Sequence, residues 1–143
     1  MKQLLYIPLF LVLLLSCKKD SIDGAMSFAD FLTIQGPWHL IEIERTSLDN
    51  KNVWESVSAT KTDTLVFRSD GVILNTDGTP ACCAPKSLII NNQLMDIKPQ
   101  LALPANPICA SVNCVNCPTW ELSVSDDQMI VSSCNNLRRK YVR

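Results

Sequence analysis

Seven cysteines are spread unevenly along this 143-residue chain: Cys17 stands alone near the start, and the other six lie between Cys82 and Cys134. An odd number cannot pair completely, so the isolated cysteine needs a role of its own. Cys82 and Cys83 are neighbours, with Cα atoms about 3.8 Å apart, below the roughly 4.4–6.8 Å of a relaxed disulfide. They therefore take different partners, which reduces the roughly 15 pairings of six cysteines to roughly 12. One or both tie the loop before Leu88 to the stretch around Cys109, Cys114 and Cys117, or to Cys134. Staples this dense belong to an oxidising compartment.

The start of the chain supplies a route to one. Lys2, an apolar stretch from Leu4 to Leu15 and a small residue, Ser16, are laid out as a secretory signal. The stretch contains Pro8 and is shorter than the roughly 20 apolar residues a bilayer span requires, so removal is expected rather than retention. Leu14-Leu15-Ser16-Cys17 resembles the lipobox of bacterial lipoproteins. That resemblance implies cleavage before Cys17 and lipidation of Cys17 with palmitate-like chains, each buried methylene adding about 0.8 kcal/mol of attachment. In that family Lys18, standing where Asp would signal retention, implies the outer membrane. Lys18-Lys19-Asp20 also weakly resembles signals for the cell surface, so the periplasmic and surface faces both stay open.

The domain plan is then a signal peptide over 1–16, a lipidated polar tether over 17–25 and one domain over 26–143, a length suited to a single core. Charge is nearly balanced, 13 basic against 14 acidic residues, with Lys2 the only charge in the leader. That balance gives no electrostatic reason to expect nucleic acid.

Within the domain, Ser27 caps a short helical segment reaching Leu32, and Gly36-Pro37 ends it. From Trp38 onward the pattern predicts eight or nine short strands: Trp38 to Thr46, Val53 to Val57, Thr64 to Arg68, Val72 to Asn75, Leu88 to Asn91, Leu94 to Ile97, Thr119 to Val124, Met129 to Ser133 and Leu137 to Arg143. Tight-turn residues separate several of them, as in Ser69-Asp70-Gly71, Asn91-Asn92 and Asp126-Asp127. Trp120, Leu122 and Val124 alternate with Glu121, Ser123 and Ser125, as one buried and one wet face require. The first strand breaks this period. A bulge near Leu40 would turn Trp38, Leu40, Ile41 and Ile43 inward and leave Glu42 and Glu44 in water.

Lys98 to Pro118 has four prolines, three cysteines and no periodicity. Loops this long are functional or misassigned unless something holds them. Cys114-Val115-Asn116-Cys117 matches a redox C-x-x-C, and Cys109, Cys114 and Cys117 match an iron–sulfur spacing. The first lacks its βαβ context, and the second requires a cofactor assembled before export. Zinc requires thiolates kept reduced. Structural disulfides through Cys82, Cys83, Cys109, Cys114, Cys117 and Cys134 are the expectation, with no metal and no cofactor.

Enzyme signatures fail on counting. Four dispersed glycines cannot build a phosphate-cradling loop, and the single histidine, His39, excludes a two-histidine metal motif. Glu42, Glu44 and Glu121 read as solvent-facing, with nothing marking a buried carboxylate pair. Arg138, Arg139, Lys140 and Arg143 form the one basic cluster, split by alternation across both faces of the last strand. A solvated edge is the default for them, and contact with lipid head groups the alternative. No catalytic residue is assigned, and the chain is expected not to be an enzyme.

Gly36-Pro37-Trp38, placed after a short helical turn and opening the first strand, resembles the G-x-W of lipocalins. The segments 63–76 and 120–131 are similar to later strands of lipocalin-like domains in small bacterial lipoproteins. The resemblance implies an all-β fold, an antiparallel up-and-down barrel of about eight strands with a short N-terminal helix. It also implies a late arginine, Arg139 or Arg143, over Trp38. A small hydrophobic ligand would then be lined by Trp38, Phe67, Leu74, Met95, Trp120 and Leu122. The alternative is a structural or interaction module of the cell envelope, in which the 98–118 loop meets another envelope protein.

Overall fold

The computed structural model describes residues 32–58, 64–134 and 137–143. Cys17, the expected signal peptide and tether, and the Ser27 cap lie outside the described residues. Among the described residues nine strands form: β1 (Gly36–Thr46), β2 (Asn52–Ser56), β3 (Thr64–Phe67), β4 (Ile73–Leu74), β5 (Ser87–Ile90), β6 (Gln93–Asp96), β7 (Thr119–Ser125), β8 (Gln128–Ser133) and β9 (Arg139–Val142). Each falls within a residue or two of a run read from alternation. The turn residues explain why the strands stop where they do. Asn91 and Asn92, at φ 47° and 71°, join β5 to β6, and Asp126, at φ 46°, opens the β7–β8 turn. These left-handed conformations suit Asn and Asp and match the twist of a tight hairpin. Gly36 starts β1 at φ 113°, a conformation that L side chains avoid.

All nine strands belong to one curled sheet, ordered β4-β3-β1-β9-β8-β7-β5-β6, with β2 on the far half of β1. The fold is therefore all-β, but it departs from an up-and-down antiparallel barrel in two respects. First, β5 pairs with β7 in parallel, Leu88 opposite Trp120 and Ile90 opposite Leu122. The reason is connectivity: β6 folds back along one flank of β5, and the chain then passes over the end of β5 to start β7 on the other flank. Second, the sheet is open, ending at β4 and β6. The outer edge of β4 is taken up by the following segment, where Leu74 bridges Pro80 and the Ala81 N–H donates to the Ile73 carbonyl at 3.0 Å. Pro80 has no N–H with which to extend the ladder.

The concave face holds the core: Ile34, Trp38, Leu40, Phe67, Ile73 and Leu88, continued by Ile90, Met95, Leu122, Met129, Val131 and Tyr141. The expected bulge occurs, as the β1–β9 register slips between Leu40 and Glu42. It carries Ile43 to the margin of the core but leaves Ile41, also expected inward, outside it, with Glu42 and Glu44 on the opposite face. Glu44 is nevertheless not in water. It is 4 % exposed, because Arg138 closes over it with Nε at 3.1 Å and Nη2 at 2.5 Å from its carboxylate.

Candidate functional site

Strand directions gather the cysteines at one end of the sheet. Cys82 and Cys83 lead into β5, Cys109, Cys114 and Cys117 precede β7, and Cys134 follows β8. They pair as Cys82–Cys109, Cys83–Cys114 and Cys117–Cys134. The two neighbours thus hold different partners, both in the Pro-rich connection. Cys114 and Cys117 belong to separate bridges, so the C-x-x-C is not a redox pair in this fold. With all six thiols consumed, none of them is a thiolate ligand for zinc or a cluster.

The bridges and a set of polar ties turn the 98–118 segment into a cap over this end. Pro107–Ser111 forms a 3-10 turn, entered through Asn106, whose side chain accepts from the Ile108 N–H. The same Asn106 amide donates to the Pro80 carbonyl at 2.9 Å. At the start of the segment, the Gln100 N–H donates to Asp70 at 2.9 Å. Asp70 also receives two bonds from the Arg68 guanidinium, at 2.8 and 2.6 Å, and one from the Val72 N–H. Arg68 beside it, helped by the Gln100 and Val72 amides and opposed by burial, holds the Asp70 carboxyl down at about 2. At the end of the segment the Pro118 carbonyl accepts from the Lys86 and Ser87 N–H groups. The cap's outer surface carries large apolar side chains, Leu101 69 %, Ile108 66 % and Val115 80 % exposed, interspersed with Gln100, Asn113 and Asn116.

Beneath the cap a cleft of about 360 Å³ lies where the sheet fails to close. Val72 and Ile73 form its wall on the β4 side, with Ile97, just after β6, on the other. Pro80, Pro85, Pro99 and Leu103 add apolar surface, and Lys86 is its one charged residue. At the opposite end of the sheet a more polar cleft of about 420 Å³ is bounded by Asn91, Asp126 and Arg143, among others.

The six residues expected to line a ligand lie elsewhere. Trp38, Phe67, Met95 and Leu122 are at most 2 % exposed and pack into the core, while Leu74 and Trp120 are half-buried. None of the six borders either of these clefts. Arg143, rather than Arg139, stacks on Trp38 at 4.6 Å from the ring centroid and donates to the Thr33 and Gln35 carbonyls. The Trp38 indole N–H donates to the Ile34 carbonyl at 2.7 Å. His39 faces Thr64 across β1 and β3, Nδ1 to Oγ1 3.0 Å, as a cross-strand pair.

Arg138 and Lys140 of the basic cluster lie on the convex face. Lys140 pairs with Glu42 and Arg138 with Glu44, and both cations sit over the Trp54 ring at 4.6 and 5.5 Å from its centroid. Arg138 holds the Glu44 carboxyl below its ordinary range, against the opposing effect of burial. Three of the four cations are therefore engaged, Arg138 and Lys140 in ion pairs and Arg143 over Trp38, while Arg139 is exposed and no carboxylate among the described residues pairs with it. Among the described residues no group of His, Cys, Asp or Glu is arranged to hold a metal ion. Sequence reading missed Asp70 and Asn106 as anchors. Asp70 was visible only as a turn residue, and neither had a sequence signal for a partner some thirty positions away. No family model, curated protein or solved structure matches this chain.

Proposed function

We propose that this chain is a lipoprotein of the outer membrane, acylated at Cys17, whose β domain is an interaction module rather than an enzyme. Its working surface is the disulfide-fixed cap over 98–118, and its partner is another envelope protein. The observation that carries this reading is the cap itself: exposed apolar side chains, Leu101, Ile108 and Val115 among them, on a segment fastened to the sheet by three disulfides. Apolar groups held rigidly in water are costly unless covered, and a pre-ordered loop loses little entropy when it docks. A distant lipocalin-like origin is supported by Gly36-Pro37-Trp38 at the start of β1 and by Arg143 over Trp38.

A photo-crosslinking residue at Val115 or Ile108 in intact cells tests the proposal. One discrete envelope protein should be captured, and capture should disappear when Leu101 and Val115 are both changed to Ser outside the crosslinked position. Capture no stronger than from Leu48, an exposed residue on the β1–β2 turn, rejects the reading, as do crosslinks to lipid alone. Palmitate labelling lost in Cys17→Ala tests the anchor separately. A second reading, an apolar ligand, is favoured by the cleft beneath the cap.

A further inference from the structure

The open seam between β4 and β6 is filled by a wall of prolines and aliphatic side chains that leaves a cleft instead of a packed joint. We infer that this cleft binds a single-chain amphiphile with an anionic head group, the chain lying against Ile97, Pro99 and Leu103 and the head group on Lys86.

Three observations meet here. The first is size and lining: about 360 Å³, bounded by aliphatic and proline side chains. Ligand sites run from roughly 300 to 1,000 Å³, so this one suits one chain of moderate length rather than a two-tailed lipid. The second is rigidity. Pro80, Pro85 and Pro99 restrict its backbone, the Cys82–Cys109 and Cys83–Cys114 bridges hold the segments on which they lie, and Asp70 fixes the Gln100 amide. A cavity held open in this way does not collapse when empty, and little order is lost on filling it. The third is charge. Lys86 is the only charged residue of the lining and is exposed. Its main chain is committed, the N–H to the Pro118 carbonyl and the carbonyl to the Ile97 N–H. Among the described residues no carboxylate pairs with its ammonium, whereas Arg45, Arg68, Arg138 and Lys140 each have one. A lone cation at the mouth of an apolar cleft selects an anion on an apolar chain, by charge for the head and by burial for the tail.

The inference deepens the apolar-ligand reading; the site borders the packed core through Ile73 and Ile97 and does not use the outward side chains of the cap, so it stands apart from the protein-docking reading. The test is calorimetric titration of the full chain with laurate, dodecyl phosphate and dodecanol, each below its aggregation concentration. Laurate or dodecyl phosphate should bind one to one, and dodecanol at least tenfold more weakly; the stronger of the two anions identifies the head group. Lys86→Met should remove that preference while leaving dodecanol binding unchanged, and Lys86→Arg should restore it. Leu103→Trp, which fills the cleft from its rim, should abolish all three. Circular dichroism on each variant separates these losses from unfolding. Equal binding of the neutral and anionic chains, retention of the preference in Lys86→Met, or unaltered binding in Leu103→Trp would overturn the assignment. Val115→Ser should leave laurate binding intact, so failure of the docking reading and failure of this one give different results.

Discussion

The two ends of the sheet solve the same problem, reversing the chain, by different means. At the Arg143 end, β5 passes to β6 through Asn91-Asn92 and β7 to β8 through Asp126-Asp127, turns fixed by backbone conformation. The Asn91 side chain even extends the sheet, accepting from the Val124 N–H at 2.8 Å and donating to its carbonyl at 3.1 Å. At the capped end, the chain between β6 and β7 has no alternating apolar face to bury and is fastened instead by disulfides. Where side-chain burial can order a segment, short polar turns suffice; where it cannot, covalent closure takes over, as in domains with too little core.

Several substitutions sharpen that contrast. The largest effect should come from Trp38→Ala at the turn end, which removes a fully buried ring together with its Ile34 and Arg143 contacts. A loss of about 3–5 kcal/mol in denaturant titration is expected. Replacing Cys83 and Cys114 together by Ala should cost about 2–4 kcal/mol through the freed chain entropy of a 31-residue separation. Amide exchange should rise across 98–116 and stay slow in β1 and β9; exchange rising equally in both would break the division between the ends.

Asp70→Asn should cost about 2–3 kcal/mol at neutral pH. Its folded-state carboxyl is held at about 2 against an ordinary 3.8, a gap of roughly two pH units at about 1.4 kcal/mol each. Because the folded value is depressed, this stability is complete above pH 3.8 and is lost as the pH falls toward 2. The wild-type stability curve should therefore drop across that window and converge on the Asn variant's. Arg143→Ala should cost about 1–2 kcal/mol, the cation over Trp38 and its carbonyl bonds being lost together. The smallest change is Lys140→Ala, below about 1 kcal/mol, since its half-buried Glu42 keeps access to solvent and Arg138 still covers Trp54. Trp54 fluorescence should report it even so.

Strand existence was legible because alternation and turn chemistry are local properties, and Trp120, Leu122 and Val124 or Asn91-Asn92 declare themselves without their partners. The β1 bulge was also legible, from four apolar residues that a strict two-residue period could not bury. Strand order was not. Nothing local in Ser87–Ile90 distinguishes a parallel neighbour from an antiparallel one, and that choice rests on a connection whose residues carry no periodicity. Glu44 misled for a related reason: its position on the convex face was right, but its burial depends on Arg138, 94 residues away. The seam cleft had no signal at all, because its walls come from four separate segments. Cys82 and Cys83 did signal separate partners, through the short distance between adjacent Cα atoms.

Covalent closure, not core burial, holds the cap. Peptide mass mapping of the unreduced full chain tests it most directly. It should recover Cys82 linked to Cys109, Cys83 to Cys114 and Cys117 to Cys134. A Cys114–Cys117 bridge, or free thiols at Cys82 and Cys83, would contradict it.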